Sequence, residues 1–280
     1  KTWESVPLVS AKQKSMGISG REGAQVQTYI SVSSDGSLIL SFADVGNVLK
    51  STDGGATWRE CAKGAATAGF STGVIDPCNP GKVIAVTTSG TGNADVVKRQ
   101  GYRGCGVYIS TDGAETFTQT LTLNDNVMSR NRDAIVYDVT TANQNGVDGC
   151  ARVYFSSTTP EFEGNLLSIS QYEQSLGLNS GPGLYRSDDG GISWECVNSN
   201  MSRADLAVSP KDGTLYAVKD TTLYKSTDSG KTFLSVRTDT YDVVAMDLSD
   251  SYNVYAIGKD GVSVCANNAN VWSKISSNYS

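Results

Sequence analysis

With no histidine among its 280 residues, this chain must do any acid–base chemistry with carboxylates. A histidine general base, a Ser-His-Asp triad and histidine metal ligands are excluded. The most strongly patterned carboxylates are Asp53, Asp112, Asp189 and Asp228. Each is the third residue of an octapeptide: Ser51 to Trp58, Ser110 to Phe117, Ser187 to Trp194 and Ser226 to Phe233. The shared pattern is serine, any residue, aspartate, any residue, glycine, any residue, threonine or serine, aromatic, with Ala114 replacing the glycine once. These residue types hold a turn. The carboxylate accepts hydrogen bonds from turn amides, the serine hydroxyl supports it, and glycine permits a backbone that a side chain opposes. The closing Trp58, Phe117, Trp194 or Phe233 buries an apolar face beside the turn. The four aspartates are therefore read as structural. Arginines Arg21, Arg103, Arg130 and Arg132 have the chemistry to pair bidentately with a carboxylate ligand, although most surface arginines are simply solvated.

The elements that position these groups follow from the repeat. A worn fifth copy runs from Cys265 to Trp272, spaced from Ser226 as Ser226 is from Ser187. Short runs of alternating apolar and polar residues lead into each copy, the pattern of half-buried strands. Val26 to Ser33 and Ser37 to Phe42 flank the Ser34-Asp35-Gly36 turn, and Asn47 to Lys50 enters the first octapeptide. Thr72 to Asp76, Lys82 to Thr88 and Gly106 to Ile109 precede the second. Asp133 to Val139, Arg152 to Ser157 and Gly183 to Arg186 precede the third. Ala204 to Ser209, Thr214 to Lys219 and Thr222 to Lys225 precede the fourth. Val243 to Leu248, Asn253 to Gly258 and Val262 to Val264 precede the worn copy. No segment sustains a helical period. A long insertion, Thr158 to Pro182, carries Glu161, Phe162, Glu163, Tyr172 and Glu173, and long loops on a repeat scaffold often shape binding surfaces.

The totals narrow the class. The length suffices for one large all-β domain over residues 1–280, which the repeats favour over two small ones. A net charge of -6 and a pI near 4.8 argue against a nucleic-acid surface. No run of about eighteen apolar residues is present, so no membrane span is expected. The chain opens on Lys1, without an initiator methionine or signal peptide, and reads as a mature secreted protein or an excised part of a longer one. Cys61, Cys78, Cys105, Cys150, Cys196 and Cys265 form no Cys-x-x-Cys pair, so a zinc site is not indicated. In a secreted chain they allow more disulfide pairings than sequence can choose among, with buried thiols as the alternative.

The octapeptide resembles the Asp-box, or BNR repeat, of sialidases, sortilin-type receptors and propeller glycosidases. The resemblance implies an all-β propeller of four-stranded antiparallel blades, with the box fastening the two outer strands of each blade, away from the ligand face. Five repeats are counted, with six or seven blades if insertions hide strands or the ring continues. Thr2-Trp3-Glu4-Ser5-Val6 resembles the outer strand after a box, which would let the two ends of a ring meet. That opening, with Asp44-Val45-Gly46-Asn47, is similar to glycoside hydrolase family 74, the xyloglucan-cleaving enzymes. Those carry a catalytic carboxylate in an Asp-Ile-Gly-Gly motif at the end of an early strand. Asn47 departs from it, and the family's partner carboxylate belongs to a second propeller for which this chain is too short.

The resemblance makes Asp44 the first catalytic candidate, with Glu22 or Asp133 as the second carboxyl group. Hydrolysis needs two carboxyls about 5–5.5 Å or about 6.5–9.5 Å apart. Arg21, Tyr29, Tyr102, Arg130 and Arg132 are the candidate substrate-binding residues. All four tryptophans are committed to box or box-like strands, leaving Tyr29, Tyr102, Phe162, Tyr172 and Tyr241 as sugar platforms. Asp205, Asp220, Asp242 and Asp260 are further candidates at the channel mouth, although aspartate is also simply a good turn residue. The expected function is binding or hydrolysis of extracellular polysaccharide. The alternative is a non-catalytic carbohydrate- or protein-binding propeller. A sialidase is less favoured, because that family's early Arg-Ile-Pro motif is absent. No metal or organic cofactor is implied.

Overall fold

In a computed structural model, residues 27–43, 48–65, 69–87, 106–122, 135–157, 183–238, 241–246, 252–266 and 271–276 are described. They form five four-stranded antiparallel sheets and no α-helix, so no described helix is long and apolar enough to cross a membrane. Every sheet is an up-and-down meander whose strands neighbour one another in chain order. The chain divides into two compact units, one holding the first two sheets and the other the last three.

In the first unit, β1 (Gln27–Val32), β2 (Ile39–Ala43), β3 (Val48–Ser51) and β4 (Arg59–Cys61) form the first sheet. The second holds β5 (Phe70–Ile75), β6 (Val83–Thr87), β7 (Gly106–Ser110) and β8 (Thr118–Thr122). Leu40, Phe42 and Val48 from the first pack against Phe70, Val83, Tyr108 and Phe117 from the second. Phe70 is central, with Phe42 and Tyr108 each at 6.1 Å edge-on and Phe117 at 5.7 Å. Gly73 sits mid-strand because a Cβ there would lie 2.1 Å from the Phe42 ring. Inner strands are stitched directly. Thr28 Oγ1 donates to the Phe70 carbonyl at 2.8 Å, and the Ile75 amide donates to Ser31 Oγ at 3.0 Å.

In the second unit, the third sheet holds β9 (Ile135–Ala142), β10 (Cys150–Ser156), β11 (Leu184–Ser187) and β12 (Glu195–Asn198). The fourth holds β13 (Asp205–Val208), β14 (Leu215–Lys219), β15 (Thr222–Ser226) and β16 (Leu234–Thr238). The fifth holds β17 (Tyr241–Met246), β18 (Val254–Gly258), β19 (Gly261–Cys265) and β20 (Trp272–Ser276). Strand alternation splits the fourth sheet's side chains between two cores. Leu206, Val208, Leu215 and Ala217 meet Tyr154 and Leu184 of the third sheet. Ala207, Tyr216, Val218 and Leu223 meet Val244, Val254 and Ala256 of the fifth. Burying each large apolar side chain contributes about 1.5–3 kcal/mol, so these two-sided sheets hold the unit together.

Strand positions follow the alternation closely, with β9 the exception. It runs to Ala142, past the expected end at Val139. A register shift between Cys150 and Arg152 absorbs the extension, and Asn143, Asn145 and Gly146 close the turn with positive φ. Among the described residues, Cys61, Cys78, Cys150, Cys196 and Cys265 are not joined in a disulfide. Cys61, Cys196 and Cys265 lie in three different sheets, and Cys61 Sγ donates to its own sheet's Val48 carbonyl at 3.2 Å. Cys105 lies outside the described residues.

Candidate functional site

The four octapeptides close the hairpins between the third and fourth strands of the first four sheets. Their hydrogen bonding is the same each time. Ser51, Ser110, Ser187 and Ser226 donate Oγ–H to the aspartate Oδ1 at 2.7–2.8 Å. The same hydroxyls accept from the amides of Gly55, Ala114, Gly191 and Gly230 at 2.8–2.9 Å. Each carboxylate also holds the seventh residue twice. Asp53, Asp112, Asp189 and Asp228 accept its amide at Oδ1 (2.8–2.9 Å) and its hydroxyl at Oδ2 (2.5–2.6 Å). Trp58 and Trp194 complete their turns by donating Nε1–H to the Gly55 and Gly191 carbonyls at 2.9 and 3.0 Å. The fourth residue is left-handed in every copy, whether Gly54, Gly113, Gly190 or Ser229.

This bonding fixes the protonation state. The Thr57 hydroxyl and amide, with Ser51, lower the Asp53 carboxyl to about 2. Thr232 and Ser226 do the same to Asp228. For Asp112 and Asp189, partial burial pushes the carboxyl up, but bonds from Thr116 and Ser193 outweigh it and the net shift is downward. A general acid or base works best with a pKa near the operating pH. These four carboxylates are ionised acceptors.

Each unit also ties one octapeptide to a cation in the preceding sheet. Lys50, directly ahead of the first, is buried and donates Nζ–H to the Gly113 carbonyl at 2.6 Å and Glu115 Oε1 at 2.7 Å. Arg59 also grips Glu115 through both terminal guanidinium nitrogens, Nη1 and Nη2. Arg59 and then Lys50 hold the Glu115 carboxyl down at about 2. Arg186, directly ahead of the third octapeptide, donates Nη1–H to the Ser229 carbonyl at 3.1 Å and Nε–H to Asp188 at 2.8 Å. Arg152 joins it, reaching Asp188 at 2.6 Å and Ser229 Oγ at 3.0 Å. Gly113 and Ser229 hold the same fourth position, so the left-handed residue turns its carbonyl toward the neighbouring sheet's cation in both units. Sequence reading missed Lys50, Glu115, Arg152 and Arg186. The signal was there in the basic residue directly ahead of three of the four octapeptides, Lys50, Arg186 and Lys225.

Of the ligand and catalytic candidates, Asp44, Glu22, Asp133, Arg21, Tyr102, Arg130 and Arg132 lie outside the described residues. So does the whole Thr158 to Pro182 insertion. Tyr29 is described and packs, half-buried, against the core of the first unit. Tyr241 is buried and donates its hydroxyl to Ser263 Oγ at 3.1 Å. Asp205 is buried at the start of β13, where Oδ2 accepts the Val244 amide at 2.7 Å and stitches two inner strands. Asp220 and Thr221 form the tight β14–β15 turn, both with positive φ. These four described positions do the work of packing and turns.

A scan against protein-family models finds no match, and a sequence search of curated proteins finds none. Solved structures do match. The glycoside hydrolase family 74 enzyme of Niastella koreensis aligns with a TM-score of 0.61 at 15% identity, over 90% of this chain and 38% of its own. The family 74 xyloglucanase of Xanthomonas campestris gives 0.61 at 14%, over 91% of this chain and 39% of its own. The protein YCF48, solved with a D1 peptide, gives 0.53 at 14%, over 89% of this chain and 66% of its own. The chain thus spans about two fifths of the length of the two hydrolases. At these identities the likeness establishes the fold, which is all-β and propeller-like.

Proposed function

We propose that this chain is a secreted Asp-box propeller that engages extracellular polysaccharide, with a β-glucan of the xyloglucan type as its ligand and Asp44 as one hydrolytic carboxylate. The observation that carries the reading is the alignment with two family 74 structures over nine tenths of the chain. The Asp44-Val45-Gly46 run supports it, standing directly after β2 (Ile39–Ala43), an early strand of the first sheet. The family's catalytic motif occupies such a strand end. Glu22 and Asp133 are the partner carboxyls this chain itself offers. Asp53, Asp112, Asp189 and Asp228 have their carboxylate oxygens committed to turn hydrogen bonds, and their lowered pKa values unsuit them to act as general acid. One carboxyl must be held protonated as general acid while the other stays ionised as nucleophile or base.

The test is reducing-sugar release from xyloglucan and a panel of β- and α-glycans, run beside affinity electrophoresis in the same polymers. Release that Asp44→Asn lowers by at least 100-fold, with retardation kept, is the expected result. Retardation without release reduces the reading to a carbohydrate-binding module. Neither on any glycan overturns it. A second reading is favoured by the YCF48 structure, whose bound partner is a peptide. On that reading the propeller is a protein-binding module, and pull-down of extracellular proteins would replace the glycan assay.

A further inference from the structure

A short segment of the second unit carries a pattern that neither the fold nor the ligand chemistry absorbs. Asn200-Met201-Ser202 is an Asn-x-Ser triplet, the acceptor sequence for an N-linked glycan in a secreted protein. The chain holds one other, Asn278-Tyr279-Ser280, outside the described residues. The first triplet follows β12 and leads into β13, at the end of the third and fourth sheets away from their octapeptide turns. Such triplets also arise by chance, so the local structure has to decide.

The backbone of this turn is fixed from within its own unit. The Asn200 amide donates to Asn198 Oδ1 at 3.0 Å, and Lys219 donates Nζ–H to the Asn200 carbonyl. Ser156 Oγ donates to the Met201 carbonyl at 3.0 Å and accepts the Ala204 amide at 2.9 Å. The Arg203 amide donates to the Ser157 carbonyl at 2.9 Å. Met201 is buried and packs with Leu184, Leu206 and Leu215. The residues on either side of it lie away from that core: Asn200 is exposed and Ser202 half-buried. The neighbouring Asn198 has its side chain engaged at both ends, Nδ2 donating to the Lys231 carbonyl at 3.0 Å while Oδ1 holds the Asn200 amide. Among the described residues, no group bonds the Asn200 carboxamide or the Ser202 hydroxyl.

We infer that Asn200 carries an N-linked oligosaccharide, added as the chain crosses a secretory membrane. The inference rests on the secreted reading proposed above. Transfer to an emerging chain precedes tertiary packing, so it needs the triplet, with its Ser202 hydroxyl, and a transferase that reads it. The carboxamide Nδ2 attacks the anomeric carbon of a lipid-linked oligosaccharide diphosphate. An N–C bond forms, the C–O bond to the diphosphate breaks, the lipid diphosphate leaves and one amide proton passes to solvent. The folded unit then has to tolerate a bulky polar substituent. Asn200 meets that demand because its backbone, not its side chain, makes the bonds that hold the turn.

The experiment is peptide mapping of the protein recovered from its own cells and their medium, with and without peptide-N-glycosidase in heavy-oxygen water. The expected result is conversion of residue 200 to an aspartate carrying the heavy oxygen, only where the glycosidase is present. Conversion to the same extent without the enzyme is spontaneous deamidation and overturns the inference. In a eukaryotic secretory host, Asn200→Gln and Ser202→Ala should each remove one glycan from the mobility shift, and Ser202→Thr should keep it. Asn278→Gln, made separately, accounts for the other triplet. After glycosidase treatment these variants should melt with the treated wild type, which separates loss of the glycan from loss of the fold. An Asn200→Gln chain with an unchanged shift overturns the inference. So does protein in the medium with Asn200 unmodified, which leaves the secreted reading standing. Protein found only inside the cell and unmodified overturns both.

Discussion

Lys50 and Arg186 do the same job in different ways. Both stand one residue ahead of an octapeptide, and both donate to the carbonyl of the left-handed fourth residue in the next sheet's octapeptide. Their anions differ. Lys50 meets Glu115, which belongs to the turn it reaches, so charge pairing and carbonyl bond both cross from the first sheet to the second. Arg186 meets Asp188 in its own turn, and Arg152 on β10 holds the same carboxylate. In the first arrangement one buried ammonium makes the carbonyl bond, with Arg59 on the same Glu115 carboxylate and the Ala62 and Lys63 backbones bonded to the same turn. The second shares the tie between two guanidiniums, each with a planar fork of donors. The octapeptide is thus more than a hairpin lock: it also presents the acceptor by which neighbouring sheets are fastened.

Removing each cation breaks this comparison most directly. A hydrogen bond from a charged group contributes about 1.5–3 kcal/mol when its partner is left buried. Lys50→Ala loses the bond to Gly113, the pairing with Glu115 and the packing of the lysine stem. It should destabilise the chain by about 2–3 kcal/mol in urea unfolding. Arg186→Ala leaves Asp188 on Arg152 and should lose no more than about 1 kcal/mol. Equal losses would show that the sharing in the second unit confers nothing. The surface pair of Arg59 and Glu115 adds little to either figure, since exposed ion pairs contribute about 0–1 kcal/mol.

Acid sharpens the comparison on the side of the carboxylates. Asp53, Asp228 and Glu115 are each lowered to about 2 in the folded chain, the first two by threonine hydroxyls and the third by Arg59 and Lys50. A depressed folded pKa gives stability that is full above the unfolded value, near 4, and is lost as pH falls through the folded value. The melting temperature should therefore hold through neutral pH and fall between about pH 4 and 2. Thr57→Val and Thr232→Val remove the leading cause of two shifts and should flatten that fall. An unchanged acid slope in the double variant would place the loss elsewhere.

The fold was legible where period and punctuation agreed. Alternation located Thr222 to Lys225 and Asn253 to Gly258 within a residue of β15 and β18, because each run is bounded by a turn that admits little else. The overrun of β9 was not legible, since Thr140 and Thr141 fit a strand or a turn equally well and the choice is made by pairing with Cys150 and Arg152. The octapeptide bonding was legible in the residue types, whereas Lys50 and Arg186 read as ordinary surface charges because their acceptor is a backbone carbonyl, which leaves no trace in sequence. Tyr29 and Tyr241 read as platforms for the same reason: tyrosine carries both an apolar body and a polar tip, and only the pairing of Tyr241 with Ser263 and the packing of Tyr29 on the core decide which is used. Asp44 rests on the motif and the family likeness, while Glu22 and Asp133 are the carboxyls that could partner it if their loops converge.

The smallest expected effect concerns the fifth residue of the octapeptide, where the second copy departs from the rest. Ala114 holds φ 71 where Gly55, Gly191 and Gly230 hold 90, 95 and 84. An L-residue in this region is strained by about 1–2 kcal/mol. Ala114 is fully buried in the core of the first unit, and its methyl contributes about 0.8 kcal/mol there. Ala114→Gly trades one term for the other and should move the unfolding free energy by about 0.5 kcal/mol or less. Gly55→Ala adds the strain at a site whose backbone is already set for glycine, and should destabilise by about 1 kcal/mol or more. Paired urea titrations of the two variants check both values. If Ala114→Gly loses as much as Gly55→Ala, the alanine is held by packing beyond its own methyl, and the second turn is the more tightly fastened of the two.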